Sequence, residues 1–128
     1  MTGKYLLDTN AIIYAINRKL KLPANQYAVS VITEMELLSW PSLTREDEAK
    51  LQESLQKLTV IQLERSIQKT AIKIRRTSSL KLPDSIISAT ALIGNFVLVT
   101  DDQKLADRHI GTSIALNDLM TNMTPKQR

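Results

Sequence analysis

The apolar residues of this chain come in short, largely unbroken runs: Lys4-Tyr5-Leu6-Leu7, Tyr27 to Val31, Thr59 to Leu63, Phe96-Val97-Leu98-Val99 and Ser113-Ile114-Ala115-Leu116. A strand with one wet face alternates apolar and polar residues, whereas a continuous β-branched run needs cover on both faces. The segments between the runs supply that cover. Ala11 to Ile16 reads as a helix, and Ile32 to Leu38 as a short one that Pro41 prevents from continuing. Thr44 can cap a helix to Lys57 whose Leu51, Leu55 and Leu58 fall on one face. From Ser66 to Ser79, Ile67, Ala71 and Ile74 form an apolar stripe. Pro83 suits the first turn of a nearly all-apolar helix from Leu82 to Ile93, which Gly94-Asn95 ends, and Lys104 to His109 forms one more. Strands and helices in alternation predict an α/β fold: a three-layer α/β/α sandwich with a central, mainly parallel sheet of four to five strands. The 128 residues fit one domain over 1–119, with 120–128 as a flexible C-terminal tail.

Composition narrows the chemistry. Without Cys there is no disulfide framework and no thiolate metal site, and a single His109 rules out paired imidazoles, so a metal here needs oxygen ligands. His109 is expected to pack or to lie on the surface rather than to act as a base. No apolar run approaches the ~20 residues of a membrane span, and Asp8 interrupts the N-terminal segment before a secretory core could develop, so a cytoplasmic protein is expected. Seventeen Lys and Arg against 13 Asp and Glu give a net charge of +4, an excess that assists phosphate binding. One Phe, three Tyr and one Trp are too few for base stacking on an aromatic platform.

The acids are placed more tellingly than the bases. Ligands of an open parallel sheet bind at the carboxyl ends of its strands. Asp8 ends the first strand, Asp101 and Asp102 follow Val97 to Thr100, and Glu36 lies in the helix after the second strand. Asp84 opens the buried helix, where desolvation of a carboxylate costs several kcal/mol unless it is paired or bound to a metal, and Lys81 is the obvious cation nearby in sequence. Plainer roles are open to each: Asp8, Asp101 and Asp102 can cap helices, Asp84 can favour the helix dipole, and Glu36 can be a solvated helix residue. Glu34 lies nearly opposite Glu36, so at most one of the two faces a shared site.

The segments Leu7-Asp8-Thr9-Asn10, Thr33-Glu34-Met35-Glu36-Leu37, Lys81-Leu82-Pro83-Asp84 and Leu98-Val99-Thr100-Asp101-Asp102, in this order and spacing, resemble the PIN-domain family, especially VapC-like ribonuclease toxins of toxin-antitoxin pairs. The resemblance covers nearly the whole chain. It implies Asp8, Glu36 and Asp84 as the first three site acids, with Asp102 favoured over Asp101 as the fourth, and Thr9, Asn10 and Thr100 as polar residues that arrange them. It further implies endonucleolytic RNA cleavage, an antitoxin partner that blocks the cleft, and pairing as a homodimer, to which 44–57 and 66–79 could contribute if their apolar faces are not spent on the core.

Hard carboxylate ligands suit Mg2+ or Mn2+, which can neutralise a scissile phosphate and activate water. The expected ligands are Asp8, Asp84 and Asp102, with Glu36 as a ligand or as the group orienting the water, and Asp101 in support. RNA would be held through its phosphates by Lys69, Lys73 and Arg76, which share a helix face, with Arg75 and Lys81 nearby; the alternative for that face is simple solvation. Two rival readings remain: a PIN scaffold that binds RNA or protein without catalysis, and a doubly wound phosphoacceptor domain. The second normally has paired acids after its first strand and a Lys after its last, where this chain has Asp8-Thr9-Asn10 and Leu116-Asn117.

Overall fold

The computed structural model describes residues 3–121. In chain order the elements are β1 (Lys4–Leu7), α1 (Thr9–Asn17), β2 (Gln26–Ser30), α2 (Val31–Leu38), α3 (Arg45–Gln56), β3 (Thr59–Ile61), α4 (Arg65–Ser78), α5 (Leu82–Gly94), β4 (Val97–Val99), α6 (Gln103–Arg108), β5 (Ser113–Ile114) and α7 (Leu116–Met120). The five strands form one sheet in the order β3-β2-β1-β4-β5, and every pairing is parallel. The fold is the three-layer α/β/α sandwich that unbroken apolar strands require.

The two-residue period of a strand distributes the core. Leu6, Ala28 and Leu98 face one side of the sheet, where they meet Leu80, Ile87, Ala91 and Leu105. Leu7, Val29, Val99 and Ile114 face the other, against Ala11, Ile12, Leu37, Leu55, Leu116 and Leu119. A further cluster of Ile67, Ala71, Ile86 and Ala89 joins α4 to α5. Thr44 accepts from the Asp47 amide at 3.0 Å and so caps α3. Asn95, at φ 56°, takes the left-handed conformation that ends α5, a geometry asparagine tolerates better than most residues.

One element differs in kind from the sequence expectation. The apolar pattern predicts a strand through Leu116 and a tail from Met120, whereas β5 stops at Ile114 and Leu116–Met120 is the helix α7. The cause lies far off in sequence. Asp101 Oδ1 accepts from the Leu116 amide at 3.1 Å, and Leu116 and Leu119 are buried on the α1 side of the sheet. The expected tail lies, from residue 122 onward, outside the described residues.

The chain lays down β1, moves outward to β2 and β3, and returns through the α4–α5 hairpin to place β4 on the opposite side of β1. Strand order therefore reverses between β1 and β4, and a crevice opens at the carboxyl ends of those two strands.

Candidate active site

Asp8 stands at that reversal. It follows the last residue of β1, its amide donates to the Val99 carbonyl at 3.1 Å, and its side chain caps α1 through Oδ1, which accepts from the Ala11 amide at 2.8 Å. Oδ2 accepts from the Thr100 hydroxyl at 2.5 Å, a contact set by the Leu7–Val99 register. The residue is only 3% exposed. Burial pushes its carboxyl from the ordinary 3.8 up to about 6; the hydrogen bonds from Thr100 and Ala11 oppose the shift, and the charges of Asp84 and Asp101 reinforce it.

Three consecutive residues after β4 each hold a different helix. Thr100 bonds Asp8 at the head of α1, Asp101 bonds Leu116 at the head of α7, and Asp102 caps α6 through the Leu105 amide at 3.1 Å. The Thr100 hydroxyl oxygen also accepts from the Asp102 amide at 3.0 Å. Asp102 thus caps the helix at Lys104, one of the two residues the sequence offered for it, whereas Asp101 serves α7 instead, and both remain exposed at the site.

Glu36 reaches the cluster through α1. Its Oε1 is 2.6 Å from the Thr9 hydroxyl, which lies 3.1 Å from the Thr33 hydroxyl. A carboxylate only accepts, so the single Thr9 proton goes to Glu36 and Thr33 donates in turn to Thr9. Glu36, not Glu34, makes this connection. Asn10 is exposed in the first turn of α1, and among the described residues no hydrogen bond ties it to the acids.

Asp84 lies in the first turn of α5, part-buried, with Pro83 preceding it in that turn. Its carboxyl is pushed up by burial and by the charges of Asp102 and Glu36, and drawn back by Lys81 and Lys104. Asp8 senses Asp84 and Asp101, while Asp84 senses Asp102 and Glu36, so mutual repulsion links all five acids in one neighbourhood. The sequence offers Lys81 as the cation near Asp84; the fold adds Lys104, twenty residues on, which acts on it as well.

The donor set is all hard oxygen, partly desolvated and self-repelling, which is the chemistry that suits a hard divalent cation rather than a softer ion. Among the described residues no three Asp, Glu or His side chains are gathered closely enough to hold a metal as they stand.

The remaining candidates lie outside this cluster. Lys69, Lys73, Arg75 and Arg76 are exposed on α4. His109 is wholly buried, with Nδ1 2.6 Å from Ser88 Oγ, so of the two places open to it, surface or packing, it takes the second and packs α6 onto α5. A Cβ at Gly111 would stand 2.8 Å from its Nε2, so this position is kept free of side chain. A polar cleft of about 240 Å³ opens beside the acids, lined by Thr100, Asp101, Asp102, Gln103 and Asp118 among others. Sequence reasoning missed Lys104, Thr33 and Asp118. Thr33 carried a signal, since it lies one helical turn before Glu36, at i, i+3 on the same face. A larger apolar groove of about 980 Å³ runs between α1 and α3, past Ile12, Ile13, Ile16, Leu37, Trp40 and Leu51. Among the described residues no helix is long and apolar enough to cross a membrane.

An open, all-parallel α/β/α sandwich with acidic residues placed around its reversal point defines the class. The chain belongs to the PIN-domain family, whose description matches residues 5–110. No curated protein sequence matches the chain. Solved structures do. A toxin-antitoxin complex from Klebsiella pneumoniae is 27% identical, with a TM-score of 0.67 over 80% of this chain and 89% of that one. VapBC2 from Rickettsia felis, bound to a DNA fragment from its promoter, is 25% identical, with a TM-score of 0.70 over 82% and 92%. DNA-bound VapBC from Salmonella typhimurium, at 22% identity, shares the fold with a TM-score of 0.71 over 84% and 93%.

Proposed function

We propose that the chain is a divalent-metal-dependent endoribonuclease and the toxin of a toxin-antitoxin pair. The observation that carries this reading is the convergence of five mutually repelling acids at the strand-order reversal of a PIN fold. Asp8, Asp84 and Asp102 would be the ligands for Mg2+ or Mn2+, drawn closer together by the ion than they stand without it, with Glu36 as a further ligand or as the orienting group and Asp101 in support. A cation held there supplies charge neutralisation on the scissile phosphate and a more acidic bound water. Thr100 fixes the Asp8 carboxylate, and each of its oxygens keeps a lone pair that a cation could use. In the orienting role Glu36, held by Thr9, would accept a hydrogen bond from the attacking water at Oε2, the oxygen its hydrogen bond to Thr9 leaves open.

The decisive experiment incubates purified protein with mixed tRNA and rRNA in Mg2+, Mn2+ or EDTA, beside Asp84→Asn. Cleavage that requires metal and disappears in the variant is expected. Cleavage that survives EDTA or the substitution would belong to a contaminant, and RNA bound but never cut would favour the non-catalytic scaffold.

Thr9→Val keeps the volume of the side chain but removes the proton given to Glu36. Loss of a residue that orients an acid of a metal site lowers activity about 10- to 100-fold. We expect that loss in kcat/KM with an unchanged circular dichroism spectrum; a variant as fast as the parent would remove Glu36 from the reaction.

The antitoxin is the partner that fits the chain's likeness to toxin-antitoxin complexes. The groove between α1 and α3, with Trp40 52% exposed at its side, offers it an apolar floor edged by Lys19, Asp47, Lys50 and Glu53. A small protein from the adjacent upstream reading frame should co-purify with the chain and silence cleavage; cleavage undiminished by it would reject the pairing.

A further inference from the structure

The α4–α5 turn is fastened to α6 across thirty residues of sequence. Arg108 Nη1 donates to the Ser78 carbonyl at 3.0 Å and lies 3.3 Å from Ser79 Oγ. Ser79, at φ 57°, ends α4, and two residues later Lys81 precedes the first turn of α5, three positions before Asp84. On α6, Lys104 stands one turn before Arg108, so the two share the face that meets this turn. Lys104 also follows Asp102, the cap of α6, by two positions. The clasp thus brings Lys81 and Lys104, from separate helices, to the Asp84 side of the acids.

Both lysines are exposed, and among the described residues neither lies within ion-pairing distance of a carboxylate. Their charge acts on Asp84 from a distance, and neither ammonium is tied into a close ion pair, so both can turn to a phosphate. A polyanion approaching this edge meets Asp8, Glu36, Asp84, Asp101 and Asp102 and is repelled by them, so seating it requires cations immediately beside the acids. The stripe of Lys69, Lys73 and Arg76 is carried by α4, whereas Lys81 precedes the helix that Asp84 opens and Lys104 lies two residues past Asp102, both near enough for their charge to act on Asp84. We propose that Lys81 and Lys104 form a two-point phosphate clamp that seats the RNA backbone next to the cut. The inference rests on the nuclease reading of the acids and adds to it the residues that hold the substrate in register.

The test measures binding of a fluorescein-labelled single-stranded RNA in EDTA over a range of NaCl concentrations, and separately KM for cleavage in Mg2+. Each phosphate contact on a single strand contributes about 0.7 to the slope of log Kd against log salt, so Lys81→Ala with Lys104→Ala should flatten it by about 1.4. KM should rise in parallel. Lys69→Ala with Lys73→Ala serves as the comparison for a general basic surface. A slope and KM that the Lys81 and Lys104 substitutions leave at wild-type values would overturn the clamp, as would a wild-type protein without salt-dependent RNA binding. If the slope flattens but no metal supports cleavage, the clamp stands and the nuclease reading falls; if cleavage occurs and the slope holds, the reverse is true.

Discussion

Asp8→Asn is expected to lower kcat/KM for RNA cleavage on the order of 10³-fold while leaving a folded protein. The size follows from what a cation site supplies: several kcal/mol of charge stabilisation in the transition state, where about 4 kcal/mol corresponds to three decades in rate. The fold survives because asparagine can reproduce the hydrogen bonds of a neutral aspartate. Its amide oxygen can still accept from the Ala11 amide, and its NH2 group can donate to the Thr100 hydroxyl, which turns to accept. Steady-state cleavage and a thermal melt on the same preparation check both halves. More than a tenth of wild-type cleavage remaining in a folded variant would take Asp8 out of the site.

The metal-free protein should lose stability as pH rises. Asp8 has its folded pKa raised, from the ordinary 3.8 to about 6, so the folded state binds the proton more tightly than the unfolded chain does. Its stabilising contribution is fully present below about 3.8 and is lost as pH rises through about 6. A shift of that size corresponds to about 3 kcal/mol, an order-of-magnitude figure for a side chain buried as deeply as this one. Asp84, raised in the same direction but part-exposed, adds to the trend. Urea unfolding in EDTA at pH 4.5, 6 and 7.5 should show the wild type falling relative to Asp8→Asn, with the variant the more stable of the two at pH 7.5. Mg2+ or Mn2+ at 100 times its Kd should return about 2.7 kcal/mol to the wild type at that pH and much less to the variant. Parallel pH profiles for the two proteins would show that the buried carboxyl carries no such penalty.

The layers and the acidic edge were legible because both follow from local rules. Runs such as Phe96 to Val99 state that both faces are covered, and a polar residue directly after such a run, Asp8 or Asp101, must fall at a strand end. What escaped depends on distance in the fold. Helix α7 is five residues long, begins after Ala115, which offers no side-chain cap, and is capped instead by Asp101. No window around Leu116 contains that information. Lys104 acts on Asp84 across twenty residues, from a helix that Arg108 fastens to the α4–α5 turn thirty residues away. The burial of His109 likewise depends on Ser88, twenty-one residues earlier, and on the missing side chain at Gly111. Strand ends were displaced by a residue or two, as at Val31, which opens α2 because Ser30 accepts from the Ile32 amide and caps it.

The three helix-holding residues after β4 bear on how inactive descendants of such a protein would look. Asp101 and Asp102 supply caps whose removal costs about 1 kcal/mol each, so selection for a stable fold alone would keep them after catalysis had lapsed. Their presence in a sequence of this architecture is weak testimony to enzymatic life. Asp84 caps nothing, and burial opposes its charge. On the proposed nuclease reading, a lineage freed from catalysis would have little reason to keep that residue, which makes position 84 a place to look when active and retired copies of this fold must be told apart.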